Sequence, residues 1–236
     1  FARSILYSAK QMGLKVFPNY NDAWHFDDKI AQMYILQSVN APIPKSYVFY
    51  KNEDLYNWLR NFSEFPVVSK LKSGSGSHNV KLIKNRHELK KYANRMFSIG
   101  FSPAPSFKFK AISNLKSSKS KKDVISRLKR LPEFIRTLSG AREFPNEKGY
   151  VYLQEFIPSD GFDLKIVVVG DKLSYIGRNI RKGDFRASGG GDLFYNKELV
   201  TKDIITSAFE TSDKLGFQCM GYDYVIDKRT GKGVIV

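Results

Sequence analysis

Residues 66–80 read PVVSKLKSGSGSHNV, an apolar run that carries Lys70 into a loop made almost wholly of small residues. Val67 and Val68 favour a pleated strand, so 66–71 is expected as a strand, 73–79 as a loop and 80–83 as the returning strand. A loop without side-chain bulk lets backbone N–H groups approach phosphate oxygens. Gly74-x-Gly76-x-x-Asn79 falls one glycine short of the dinucleotide fingerprint, and no Rossmann unit surrounds it,. There is no Walker A loop and no HExxH pattern; His25, His78 and His87 are scattered. These absences argue against a nicotinamide dehydrogenase and a zinc hydrolase.

Outward from this stretch, helices and strands alternate without a βαβ rhythm. Upstream, a helix over 2–13 ends at Gly13, and a strand over 14–17 precedes Pro18, a pattern like the tail of an α/β unit,. A second helix is capped by Asp27 or Asp28, with Ile30, Met33, Tyr34 and Gln37 on one face,. Pro42 and Pro44 force an extended entry into 46–50, and 52–61 is a helix with Leu55, Trp58 and Leu59 together,. Downstream come a helix over 86–96, an aperiodic stretch over 100–122, and helical spacing from Val124 to Leu138 that Pro132 splits,. Strands are expected over 150–156, 164–169 and 174–177, the last two joined by the turn Gly170-Asp171,. A glycine-rich loop follows at 183–191, then a helix over 202–215 and a hairpin of 222–226 with 233–236. The class is α+β on antiparallel sheets.

The chain of 236 residues can form one large domain or two small ones sharing a cleft,. No apolar run approaches the ~20 residues that span a bilayer. The single cysteine, Cys219, excludes an internal disulfide and a cysteine metal cluster; among Phe217, Met220 and Gly221 it is expected to be a core thiol,. The formal net charge of +16 implies an anionic partner,. Residues 108–136 hold ten Lys/Arg and two Asp/Glu, hence +8, half of the total. There Lys116, Lys119, Lys121 and Lys122 lie in a serine-rich stretch with few aromatics to stack bases,. Contact with an acidic polymer and a merely solvated basic insertion are both open.

Five segments, taken in order, resemble the RimK-type glutamate ligases of the ATP-grasp superfamily. They are 66–80, 154–157 (QEFI), 161–169 (GFDLKIVVV), 178–186 (RNIRKGDFR) and 221–226 (GYDYVI). Asp27-Asp28-Lys29 and Pro42-x-Pro44 are similar too. The resemblance covers roughly 15–100 and 150–236 but not 100–149. It implies an ATP-grasp fold, two α+β lobes with antiparallel sheets gripping ATP. On that pattern 1–20 would be the remnant of a preceding α/β domain, and 21–45 a helix packing on the large lobe. Residues 46–152 would form the small lobe with the basic insertion 100–149, and 153–236 the large lobe, the whole truncated at both ends.

The same resemblance implies roles. Lys70 would reach the nucleotide's phosphates, the alternative being a surface lysine on an edge strand. Ser73, Gly74, Ser75 and Gly76 would offer backbone N–H groups to them. Gln154, Glu155, Phe156 and Ile157 would form the crossover that pairs with the adenine edge, with Phe156 over a ring face. Asp163 would bind the ribose hydroxyls. Arg186 would touch ATP and Arg178 the transferring phosphoryl group, where fixed guanidinium donors stabilise spreading charge. Arg181 and Lys182, between them, are expected in solvent. Asp223 would be the first carboxylate on Mg2+, or Mn2+, with a glutamate and an asparagine following Val236. Ser188 stands where the relatives place asparagine. The implied activity is cytoplasmic, ATP-dependent joining of a carboxylate to an amine through an acyl phosphate, neither substrate being named. The alternatives are an inactive ATP-grasp relative and a basic module that binds an acidic polymer or nucleic acid.

Overall fold

The computed structural model describes residues 2–74, 79–103, 145–180, 184–186 and 192–236. Ser75, Gly76, Arg181, Lys182, Ser188 and the basic stretch 108–136 with its expected helices lie outside them.

Helix α1 (Ala2–Gln11) and the single turn α2 (Tyr20–Ala23) lead into α3 (Lys29–Ser38). Asp28 caps α3, its carboxylate accepting the Ala31 N–H at 3.0 Å, which satisfies one of the helix's unpaired donors. The strand expected over 14–17 is not formed: among the described residues nothing pairs with it, and Leu14 and Phe17 are exposed. The Leu14 N–H turns back to the Ala9 carbonyl at 3.0 Å, and an extended segment without a ladder gains nothing from being a strand,.

The first sheet contains β1 (Ser46–Phe49), β2 (Val67–Lys70), β3 (Lys81–Ile83) and β4 (Val151–Glu155), in the order β1-β4-β2-β3, every pair antiparallel. Helices α4 (Asn52–Asn61) and α5 (Arg86–Met96) cover one face. Leu55 and Leu59, one turn apart on α4, and Leu89, Ala93 and Met96 of α5 are buried with Val67, Val151 and Leu153 in one core. Each such side chain contributes about 1.5–3 kcal/mol by leaving water. The period of two along a strand leaves Val68, Lys70 and Gln154 for the opposite face.

The second sheet runs β7-β6-β5-β8-β9, again antiparallel throughout. Its strands are β5 (Phe162–Val169), β6 (Lys172–Asn179), β7 (Leu193–Phe194), β8 (Cys219–Ile226) and β9 (Gly233–Ile235). Leu164, Ile166, Val168, Tyr222 and Tyr224 pack on Ile204 and Ala208 of α6 (Lys202–Leu215). The two tyrosine hydroxyls are tied to α6, Tyr222 to Ser212 and Tyr224 to Ser207, each at 2.9 Å. Gly216 ends α6 in the left-handed region at φ 64°, with the Phe217 N–H reaching the Ser212 carbonyl at 2.9 Å. Glycine takes that conformation without a Cβ penalty, and it turns the chain into β8. Cys219, the first residue of β8, is only half-buried rather than in the core.

The 21–45 segment, expected to pack on the second sheet, contributes to both cores. Ile30 and Met33 are buried in the first, while Leu36, Ala41 and Ile43 pack against the second. Apolar residues on two sides of one helix make it the joint between the sheets.

Candidate functional site

Between the open faces of the two sheets lies a cavity of about 640 Å³. The first sheet gives it Val68 and Lys70 from β2 and Tyr152 and Gln154 from β4, paired in register as Val68 with Gln154 and Lys70 with Tyr152. The chain then crosses over through Glu155, Phe156 and Ile157, which also line it. The second sheet contributes Lys165 from β5, Arg178 from β6, and Gly221, Asp223 and Val225 from β8. With Tyr222 and Tyr224 tied to α6, their neighbours are left for the cavity face. Lys29 and Met33 of α3, Gly74, Phe185 and Arg186 complete the parts that matter here. Lys70, from the first sheet, Arg178 and Asp223, from the second, and Arg186 thus share one space.

Positive charge dominates this space. Lys70 carries its ammonium where burial, and then repulsion from Lys29, bring its pKa down from 10.5 to about 8, with Asp223 opposing them. Lys29 is likewise lowered by burial, against the attraction of Asp27, Glu147 and Asp28; its ammonium donates to the Gly74 carbonyl. Arg186 is held by Asp184 at 2.6 and 2.8 Å, which raises the arginine's pKa and lowers the aspartate's. A chain that spends lysines and arginines in a half-buried cleft incurs a desolvation cost that an anionic ligand relieves.

Asp223 sits among cations. Its Oδ1 accepts from Lys165 Nζ at 2.7 Å and from Arg178 Nη2 at 2.9 Å. Among the described residues no group of three or more His, Cys, Asp or Glu is placed to hold a metal ion. Magnesium needs a shell of oxygens, and one carboxylate already neutralised by two cations does not make that shell. The residues present therefore do not by themselves fit a divalent-cation site.

Two expected contacts fail on geometry. Asp163 does not line the cavity; its side chain is 1% exposed and lies under Arg178, whose Nε and Nη2 both donate to Oδ2. Its carboxylate is committed to the guanidinium and is not offered to a ribose. Burial pushes the Asp163 carboxyl above its ordinary value, with Arg178 acting against that. Ser73 does not line the cavity either, because its N–H and its hydroxyl both turn to Glu147. Glu155 does line it, but its side chain accepts from Arg229 Nη1 at 2.7 Å, leaving its backbone for a ligand. Gln154 donates through Nε2 to Ser46 Oγ at 3.1 Å.

Sequence reasoning assigned no role to Lys29, Lys165 or Phe185. Lys165 had a detectable sign: it lies two residues from Asp163 on an apolar strand and so shares its face,. Lys29 stood in the quoted Asp27-Asp28-Lys29 triplet, but nothing in the sequence shows the helix start meeting Gly74.

Two antiparallel sheets close a cationic cleft along which the chain crosses over at 155–157, and this fold is that of solved ATP-grasp proteins. Over its full length the chain matches a RimK-domain ATP-grasp protein from Sphaerobacter thermophilus at 16% identity and a TM-score of 0.53, covering 66% of that chain. D-alanine–D-alanine ligase from Bacillus anthracis matches 99% of the chain at 14% identity and TM-score 0.53, over 63% of its own length. The biotin carboxylase domain of 2-oxoglutarate carboxylase from Hydrogenobacter thermophilus, solved with MgADP, ADP and bicarbonate, matches 99% at 12% identity and TM-score 0.60, over 44% of its length. At such identities the likeness is one of fold, and the chain spans about half to two-thirds of these structures. No protein-family model matches the sequence, and no curated protein matches it in sequence. Among the described residues no helix is long and apolar enough to cross a membrane.

Proposed function

We propose that this chain carries the ATP-binding and catalytic residues of a carboxylate–amine ligase. The observation that supports this is the convergence of Lys70 from one sheet, Arg178 and Asp223 from the other, and Arg186 on one cavity. The adenine lies against Val68 with its edge along the backbone of Gln154–Ile157, and the triphosphate runs toward Lys70, Lys29 and Arg186. A carboxylate oxygen attacks the γ-phosphorus, the bond to the ADP oxygen breaks, and an acyl phosphate forms. An amine then attacks the acyl carbon, inorganic phosphate leaves with the bonding pair, and the amine's proton passes to solvent. Arg178 and Lys165 stabilise the charge that spreads over the transferred group, because fixed cations in a partly desolvated cleft need no reorganisation. Any magnesium or manganese that enters with the nucleotide would draw most of its ligands from phosphate oxygens, and none of these steps is assigned to it.

The test has two stages. ATP should raise the unfolding temperature of the chain, and Lys70→Ala or Arg186→Ala should abolish the rise; no shift in the wild type sinks the reading. ADP release that depends on an added carboxylate then separates a ligase from a relative that only binds nucleotide. A screen of amino acids, short peptides and sugar acids as carboxylates is the practical form of that second stage.

A further inference from the structure

The stem of the small-residue loop, residues 72–74, is gripped from two sides. On one side stands Glu147, just ahead of β4. Its carboxylate accepts the Lys72 N–H at 3.1 Å, the Ser73 N–H at 3.2 Å and the Ser73 hydroxyl. The Tyr150 hydroxyl donates to the same carboxylate while accepting the Lys72 N–H at 2.7 Å. On the other side, Asp27 accepts the Gly74 N–H at 2.8 Å, and the Lys29 N–H reaches the Lys72 carbonyl at 2.9 Å.

Glu147 is also fixed through its backbone, which exchanges two hydrogen bonds with Phe101 at 2.9 and 3.0 Å. The far end of the loop is attached to the same place, since Asn79 Nδ2 donates to the Ser102 carbonyl at 2.8 Å. Ser73 and Asn79 are therefore both tied to residues at the bridge between Phe101 and Glu147.

The direction of these bonds decides their meaning. Gly74, Lys70 and Lys29 line the cavity, whereas Ser73, Glu147 and Tyr150 do not. The N–H groups that meet Glu147 belong to Lys72 and Ser73, which do not line the cavity, so the carboxylate does not compete with a ligand for them. It clamps the loop from behind. A carboxylate suits the task because it only accepts, and it faces donors alone; an amide would turn an NH2 group toward one of them.

We propose that Glu147 is a positioning residue, holding the loop stem, and with it the end of β2, where Lys70 meets the phosphates of a nucleotide. The proposal rests on reading the cavity as a nucleotide site. Charge-assisted bonds to backbone N–H groups are strong enough for their loss to let the stem move. The consequence is specific to phosphate, because the adenine end of the cavity, at Gln154–Ile157, lies at the other end of β2 and β4 from the loop.

Calorimetric titration of the whole chain with ATP and, separately, with adenosine tests this. Glu147→Gln should weaken ATP about ten- to hundredfold and leave adenosine unchanged, the loss expected for hydrogen bonds to a charged group. Ser73→Ala, which removes one donor and leaves the carboxylate, should weaken ATP about threefold with adenosine again unchanged. Equal weakening of ATP and adenosine in either variant makes Glu147 a general structural residue and overturns the proposal, as does unchanged ATP affinity. Should Glu147→Gln fail to fold, the Ser73→Ala result decides alone. A wild-type chain that binds no ATP overturns the nucleotide reading itself, an outcome visible before any variant is made.

Discussion

Asp163 and Arg178 stand opposite each other on β5 and β6, and the guanidinium donates through both Nε, at 2.9 Å, and Nη2 to a single carboxylate oxygen. Arg178 extends its Nη2 to Asp223 as well, at 2.9 Å. Its side chain is 15% exposed, so the planar fork is held by a buried carboxylate on one side and presented to the cavity on the other. Burial works against the guanidinium's charge, but the bonds to Asp163 and the nearness of Asp223 outweigh it and raise its pKa. A cation anchored in this way keeps its direction while charge develops in front of it.

Replacing Arg178 with Met leaves the Asp163 carboxylate buried without its cation. The expected loss is about 3–5 kcal/mol at neutral pH, read as a shift of the urea unfolding curve. Burial already pushes the Asp163 carboxyl above its ordinary 3.8, and without Arg178 only the weaker pull of Lys165 opposes that push. An acid whose pKa is higher in the folded chain holds its proton there longer, so stability falls as pH rises through the window above 3.8,. The variant should therefore recover part of its deficit between pH 7 and about pH 5. A deficit that stays constant over that range contradicts the account.

Lys70 gives a prediction of opposite sign. Its pKa is about 8 in the folded chain against an ordinary 10.5, so between these values the unfolded chain holds a proton that the folded chain does not. Stability attributable to Lys70 thus rises with pH across that window. The difference in unfolding free energy between wild type and Lys70→Met should narrow or reverse in favour of the wild type from pH 8 to pH 10. Phosphates beside the ammonium would favour its charged form, so ATP binding at pH 8 should take up about half a proton. Calorimetry in buffers of unlike ionisation enthalpy measures this; proton release would rule it out.

Much of the site was legible because strands alternate. The pattern of 221–226, with Asp223 between two tyrosines, put the carboxylate on the face away from α6. The Asp163–Arg178 pair was within reach too. The turn Gly170-Asp171 pairs Val169 with Lys172, and counting back from it sets Asp163 against Arg178; the ribose role came from resemblance, not from that count. Lys165 opposite Asp223 could not be counted, because β5 and β8 are neighbours separated in sequence by β6, β7 and α6. Nor could Ser73 be seen to face Glu147, which lies 74 residues further on. Local periodicity tells which face a side chain takes, while long-range pairing decides what it meets there.

Gly233 tests the packing behind the site. A Cβ there would lie 2.3 Å from Ile204 Cγ1 and 3.2 Å from Tyr224 Cδ1. Ile204 is fully buried and β-branched, so it has little rotamer freedom with which to yield,. Gly233→Ala is expected to cost about 1–3 kcal/mol. Gly231→Ala, at φ +70° with nothing within 4 Å, carries backbone strain alone and should cost about 1–2 kcal/mol,. Both are read from denaturant midpoints. Only the first should be relieved by Ile204→Ala, which removes the obstructing Cγ1.

Lys165 and Lys70 reach the cavity from opposite sheets, and their variants should fail differently. Lys165 Nζ lies 2.7 Å from Asp223 Oδ1, the atom that Arg178 also meets, so it belongs to the cluster around Asp223 rather than to the loop. Lys165→Met leaves Lys70, Lys29 and Arg186 in place, and ATP affinity should change little. Carboxylate-dependent ADP release should fall about a hundredfold or more, the size seen when one preorganised donor to a transition state is removed. Lys165→Arg should restore part of the rate, because the charge returns. A rise in the KM for ATP with kcat unchanged would instead assign Lys165 to ground-state binding. The pair is partly exposed, 37% for Lys165 and 28% for Asp223, so it stabilises the fold by at most about 1 kcal/mol,. The unfolding curve of Lys165→Met should therefore stay within that margin of the wild type, which lets a lost rate be charged to the missing cation and not to a weakened sheet.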